Sequence, residues 1–191
     1  MIVADLLNID LPWKQIIIGA VCALLAVLLV NGTWVAATRR RLEFRERHGW
    51  IARTSYLLFL VATVTLAATS FGSILRFGHM SGLGLLIHIM SAGAFVATLF
   101  IVATAFLPWG SERQQSAYVL EHRWWLARWS AWALVVASLV AAGTMLISML
   151  PILDTTGLLQ FAQLHRLAGL IVAAAAAIHA YAMVVTRLGW R

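Results

Sequence analysis

His165 and His179 stand 14 residues apart in the apolar stretch Gln163 to Met183, QLHRLAGLIVAAAAAIHAYAM. On a helix, at about 100° and 1.5 Å per residue, that spacing falls within about 40° of four whole turns. Both imidazoles therefore leave one face, roughly 21 Å apart along the axis. Gly169, Val172 and Ala176 occupy the stripe between them, and Met183 continues it. Two nitrogen ligands on an apolar face, with small residues between, leave room for a large flat group against the backbone. Haem answers that description, because imidazole is a strong axial ligand for its iron and the macrocycle asks for apolar, close-packed walls.

The elements that must position these side chains are apolar spans. The chain has 191 residues, 62% of them hydrophobic and 11% charged, whereas a soluble domain carries about 25% charged residues. This composition belongs in a membrane, in a single domain over residues 1–191. Five segments are long enough to cross a hydrocarbon core of about 30 Å, which takes about 20 helical residues. They run Gln15 to Ala37, Thr54 to Phe77, Leu83 to Leu107, Leu126 to Leu150 and Phe161 to Thr186. The predicted fold is an all-α integral membrane protein: a four-helix core over residues 54–186 and an additional N-terminal helix over 15–37. No internal repeat, low-complexity linker or second domain is visible in the sequence. The start, MIVADLLNIDLPWKQ, holds Asp5 and Asp10 and lacks the basic opening of a secretory signal, so the first span reads as retained.

Charge gives an orientation. Of the 14 basic residues, Arg39, Arg40, Arg41, Arg45, Arg47, Arg53, Arg113, Arg123, Arg128, Arg187 and Arg191 fall on one side, and Lys14, Arg76 and Arg166 on the other. By the positive-inside rule the N-terminus lies outside, in a bacterial periplasm, and the C-terminus in the cytoplasm. Arginines flanking apolar spans report topology in this way, and nucleic-acid binding is not expected. Trp109, Trp124, Trp125, Trp129, Trp132 and Trp190 read as an aromatic belt at the inner interface. Gly78 to Gly82 forms a short outer turn, and Pro151 to Gln160 a second outer loop.

The one cysteine, Cys22, excludes an intrachain disulfide, a Cys-x-x-Cys-His haem attachment and a self-contained iron–sulfur cluster. Six histidines remain. His88 and His165 each lie a few residues inside the outer end of a span, at matching depth, as a bis-histidine haem requires. His79 sits in the outer turn and reads as a solvated interfacial residue. His179 falls deeper, near the level of Tyr56 on the second span and of Arg128 and Trp129 on the fourth. Its partner stays open between His48, His122 and none, the last with a single haem and His179 either unpaired or binding a quinone headgroup. Arg76 and Arg166 stand where haem propionates would point, a use suited to charge-assisted pairing; snorkelling to lipid headgroups is the competing use.

Three stretches carry a resemblance. LHRLAGLIVAAAAAIHAYAM resembles the last helix of the cytochrome b (gamma) subunits of membrane-bound formate dehydrogenases, and more broadly of the related di-haem cytochromes b of nickel–iron hydrogenases. LLIHIMSAGAFVATLFIVATAFLP is similar to the second helix of that family, and RWSAWALVVASLVAAGTMLISMLP to the third. The resemblance covers about Thr54 to Arg191. It implies one or two haems b: His88 and His165 on the periplasmic haem and His179 on the cytoplasmic one. It also implies electron relay between a periplasmic or iron–sulfur catalytic partner and the quinone pool. In that family the remaining ligand is a His near the inner end of the first helix, followed by Trp. Here that level reads RTSYLL, and His48, in RHGW, stands earlier. LEHRWWLARW replaces the family's quinone-binding segment. The extra span is outside the family core and is available to dock a partner subunit.

Two other function classes compete. A proton-coupled or metal-handling protein would use His88, His165 and His179 as a relay or as ligands, but every Asp and Glu lies outside the five spans. A scaffolding subunit or haem chaperone would hold these groups without turnover. Hydrolytic triads, zinc His-Glu-x-x-His helices and phosphate loops are not in the sequence, so the chain reads as an electron-transfer subunit rather than a complete enzyme.

Overall fold

A computed structural model describes residues 11–38, 50–106 and 121–187. These form five helices: α1 (Trp13–Thr38), α2 (Trp50–Phe77), α3 (Gly82–Phe106), α4 (Glu121–Ser148) and α5 (Thr155–Arg187). Each is long and apolar enough to span a membrane, and the protein is an all-α, multi-pass membrane chain. Large apolar side chains point outward along all five, among them Val30 at 70% exposure and Met90 at 69%. Water would not tolerate that surface; lipid requires it. Several serine and threonine hydroxyls inside the spans are satisfied by carbonyls one turn back, as with Thr63 on Phe59 and Ser138 on Leu134.

α2 and α3 form one tight antiparallel pair, and α4 and α5 another. Gly78, at φ 79°, ends α2 in the left-handed conformation that a side chain resists, its N–H donating to the Ile74 carbonyl. Gly82, at φ 57°, opens α3. The pairs meet over an apolar core in which Phe59 of α2, fully buried, stacks on Phe95 of α3 with centroids 4.9 Å apart. Leu134 of α4 and Val172 and Ala176 of α5 close around them. The small α5 residues let neighbouring helices approach closely, which is how helices associate where lipid removes any hydrophobic advantage.

α5 starts six residues before the expected Phe161. Asp154 is the reason: its Oδ1 accepts from the Gly157 N–H at 2.7 Å and its carbonyl from the Leu158 N–H. This is an N-cap that the sequence Asp-Thr-Thr-Gly encodes, and the outer loop expected over Pro151 to Gln160 contracts to residues 149–154. The other boundaries shift by four residues or fewer at each described end, except that α4 begins five residues early at Glu121.

α1 lies on the bundle, parallel to α5. Trp13 Nε1 donates to Gln163 Oε1, and Tyr181 Oη donates to Asn31 Oδ1, both at 2.7 Å. The clasps are 18 residues apart on each helix, five whole turns, so one face of each serves both. Near the first clasp Trp13 and Ile17 pack on Ile74 of α2. The span available to dock a partner thus rests first on its own chain, with its far face exposed.

Candidate functional site

α5 positions two of the three intramembrane histidines and is enclosed by α1, α2 and α4; from Gln160 to Met183 only Ile171 is exposed. α3 brings the third. His88 and His165 face each other across the seam between the two helix pairs, ring centroids 6.5 Å apart and planes inclined at 77°. Their matching depth was legible in the sequence, and the fold turns it into opposition.

Each ring is held by its Nδ1. His165 Nδ1 donates to the Ala141 carbonyl at 3.0 Å and approaches Thr144 Oγ1 at 3.3 Å. Thr144 Oγ1 itself donates to the Ala141 carbonyl at 2.8 Å. With its proton directed there, the hydroxyl presents only lone pairs to the imidazole. Nδ1 therefore meets two acceptors and carries the ring proton, which leaves the lone pair on Nε2. His88 is held by a hydroxyl: Nδ1 lies 3.0 Å from Thr69 Oγ1, and Thr69 donates back to the Thr65 and Leu66 carbonyls, so its oxygen too meets the ring as an acceptor. A metal-binding imidazole is typically prepared in this way, its far N–H engaged and its near nitrogen free.

Room exists beside them. Gly169, one turn along α5 from His165, would meet nothing within 4 Å if it carried a Cβ. A metal–imidazole bond of about 2.0 Å and a nitrogen-to-centroid distance of about 1.1 Å place two rings on one ion about 6.2 Å apart. The observed 6.5 Å is within a few tenths of that spacing. Among the described residues no three His, Cys, Asp or Glu side chains gather to hold a bare ion. Two imidazoles are few for a protein-only transition-metal site, yet they are the full complement that haem iron asks of a protein, since the macrocycle supplies four nitrogens. The residues at this level fit haem.

At the second level they fit less well. His179 is buried, at 5% exposure, its Nδ1 donating to the Ala127 carbonyl at 3.2 Å and approaching Ser130 Oγ at 3.3 Å. Across from it stands Tyr56, edge to face, with centroids 5.8 Å apart. The depth counted along the sequence foresaw Tyr56 at this level. A second imidazole opposite His179 is not found among the described residues. His48 and the side chain of His122 lie outside them. The described residues thus give no bis-histidine haem here.

Arg166 and Arg76 lie near the His165 end of the bundle. The Arg166 guanidinium sits 5.8 Å over the Trp13 ring and that of Arg76 5.3 Å over the Phe77 ring, cation–π contacts that hold both near the interface. His79 is exposed, with Nδ1 3.2 Å from the Phe77 carbonyl. The hydroxyls of Thr69, Ser130 and Thr144 were missed by sequence reasoning. Their signal was a serine or threonine on the neighbouring helix at histidine depth, invisible until helix pairing is known.

No family model, characterised protein or solved structure matches the chain. The functional reading therefore rests on the geometry of the site.

Proposed function

We propose that this chain is the haem b-bearing membrane subunit of a respiratory redox complex, with His88 and His165 as the axial ligands. The observation that carries the proposal is the opposition of two imidazoles, both with Nδ1 turned to acceptors on their own helix pair. Haem iron, when bound, supplies one-electron chemistry at a potential tuned by its ligands and burial. The chain's own part is to bind through the two Nε2 atoms, fix ring orientation through Thr69, Thr144 and Ala141, and keep water from the seam with the Phe59–Phe95 core. Arg76 and Arg166, at the same end, are the cations available to haem propionates.

A histidine proton relay must exchange its tautomers, and a ring facing two acceptors at Nδ1 resists that exchange. This favours ligation over a proton path. The excess of arginine at the opposite end supports an orientation with the His88–His165 level toward the periplasm of a bacterial inner membrane. There it would exchange electrons with a periplasmic or iron–sulfur partner, and quinone would meet the chain from the His179 side.

A reduced-minus-oxidised spectrum with pyridine-haemochrome quantitation tests the proposal. One low-spin haem b per chain is expected, lost in both His88→Ala and His165→Ala and retained in His79→Ala. At the observed 77° between ring planes, a haem bound through both imidazoles would give a strongly anisotropic ferric EPR signal rather than a rhombic one. Haem-replete protein that purifies without haem overturns the reading.

A further inference from the structure

Three hydroxyls recur in one arrangement. Thr144, Ser130 and Thr69 each donate to the carbonyl three residues earlier, Ala141, Ala127 and Leu66, at 2.8, 3.0 and 3.1 Å, and Thr69 reaches the Thr65 carbonyl more closely, at 2.7 Å. The hydroxyl oxygen and its carbonyl then flank the Nδ1 of a histidine on the partner helix at His165 and His179, and at His88 the hydroxyl oxygen of Thr69 stands against Nδ1. The repetition on α4 is in register with α5. Ser130 and Thr144 are 14 residues apart, as are His179 and His165. In an antiparallel pair, an equal interval of about four turns on both helices brings the second hydroxyl to the second imidazole on the same faces.

We propose that Thr69, Thr144 and Ser130 are positioning residues that fix the Nδ1–H tautomer of a membrane histidine and present its Nε2 as a ligand, Thr144 and Ser130 together with the carbonyl one turn back. The proposal reaches beyond the haem at His88 and His165. His179 is given the same presentation as its neighbour, although Tyr56 and not an imidazole stands across from it. His179 is thus an acceptor at Nε2, for an iron or for a hydroxyl-bearing ligand, and not a donor from that nitrogen.

The physical argument is one of acceptor count. A lone carbonyl can hold an imidazole N–H while the ring still rocks. Two oxygens, one of them fixed by its own hydrogen bond, define both the tautomer and the ring plane. Loss of such outer partners typically weakens metal binding about ten- to a hundred-fold. It also makes the imidazole less electron-rich, which favours the reduced metal.

The test separates the clamp from the haem. Nitrogen-15 NMR of histidine-labelled, haem-free full-length protein in nanodiscs reads the tautomers directly. Nδ1–H is expected at His88, His165 and His179 in the wild type, with a shift toward a tautomer mixture at His165 in Thr144→Val and at His179 in Ser130→Ala. Thr144→Ser and Ser130→Thr, which keep the hydroxyl, are expected to restore the wild-type pattern. In haem-loaded protein, Thr69→Val and Thr144→Val are expected to lower haem affinity about ten- to a hundred-fold and to raise the midpoint potential, again with rescue by serine. An Nε2–H tautomer at any of the three histidines in the wild type overturns the proposal, as do valine variants indistinguishable from wild type in tautomer and potential. Because the tautomers are read without haem, failure of the haem reading leaves this result standing by itself.

Discussion

Gly169 offers a perturbation in which stability and cofactor binding should move in opposite directions. It lies one turn from His165 in the middle of α5, and a Cβ built there meets nothing within 4 Å. Replacing a mid-helix glycine by alanine removes backbone entropy from the unfolded chain and stabilises by about 0.5–1 kcal/mol. Gly169→Ala is therefore expected to raise the midpoint of unfolding, read by circular dichroism on haem-free protein in mild detergent. A haem held by His165 would lie against this turn, and an added methyl would then intrude on the face that receives it. Overpacking of that kind costs about 1–3 kcal/mol, which is roughly a five- to 150-fold loss of haem affinity. Gly169→Leu fills the space further and is expected to give a folded protein that does not retain haem. The assay is haem titration followed by pyridine haemochrome, on variants first shown to be helical and monodisperse. Wild-type haem stoichiometry and affinity in folded Gly169→Leu would refute the reasoning, because the space beside His165 would then be serving something else.

Further expectations concern the frame. Phe59→Ala empties the centre of the core and is expected to destabilise the protein by about 3–5 kcal/mol, read by chemical denaturation of haem-free protein. Trp13→Leu removes the bond to Gln163 and the aromatic face beneath Arg166. With membrane side-chain bonds averaging about 0.6 kcal/mol and a cation–π contact about 0.5–1 kcal/mol, the loss should total about 1–2 kcal/mol and raise protease sensitivity at the α1 end without loss of haem.

The spans were legible because length and apolarity alone decide them in lipid. Depth along those spans was legible too, since 1.5 Å per residue turns sequence position into height; that is how His88 met His165 and Tyr56 met His179. Azimuth was not. The rotation of each helix and the choice of partner decide which hydroxyl touches which imidazole, and Thr144 and Ser130 look like any other small polar residues of a membrane helix until α4 is laid against α5. The early start of α5 was missed for another reason: Asp154 is a local cap, and apolarity is blind to it. The same holds for α1, whose clasps by Gln163 and Tyr181 depend on two helices distant in sequence running parallel.

The matched intervals on α4 and α5 restrict how such a chain can change in length. One residue inserted between His165 and His179 advances the second histidine by about 1.5 Å and swings it by about 100°, carrying it past Ser130 and off the seam altogether. An insertion of the same size between Ser130 and Thr144 restores the level but not the contact, because both side chains then swing about 100° off the seam; only paired insertions of about whole turns bring them back together. Loops such as residues 149–154 are free of this bond. Length variation in natural or designed versions of this chain should therefore collect in the connections, while the two 14-residue intervals persist as a pair or are lost as a pair.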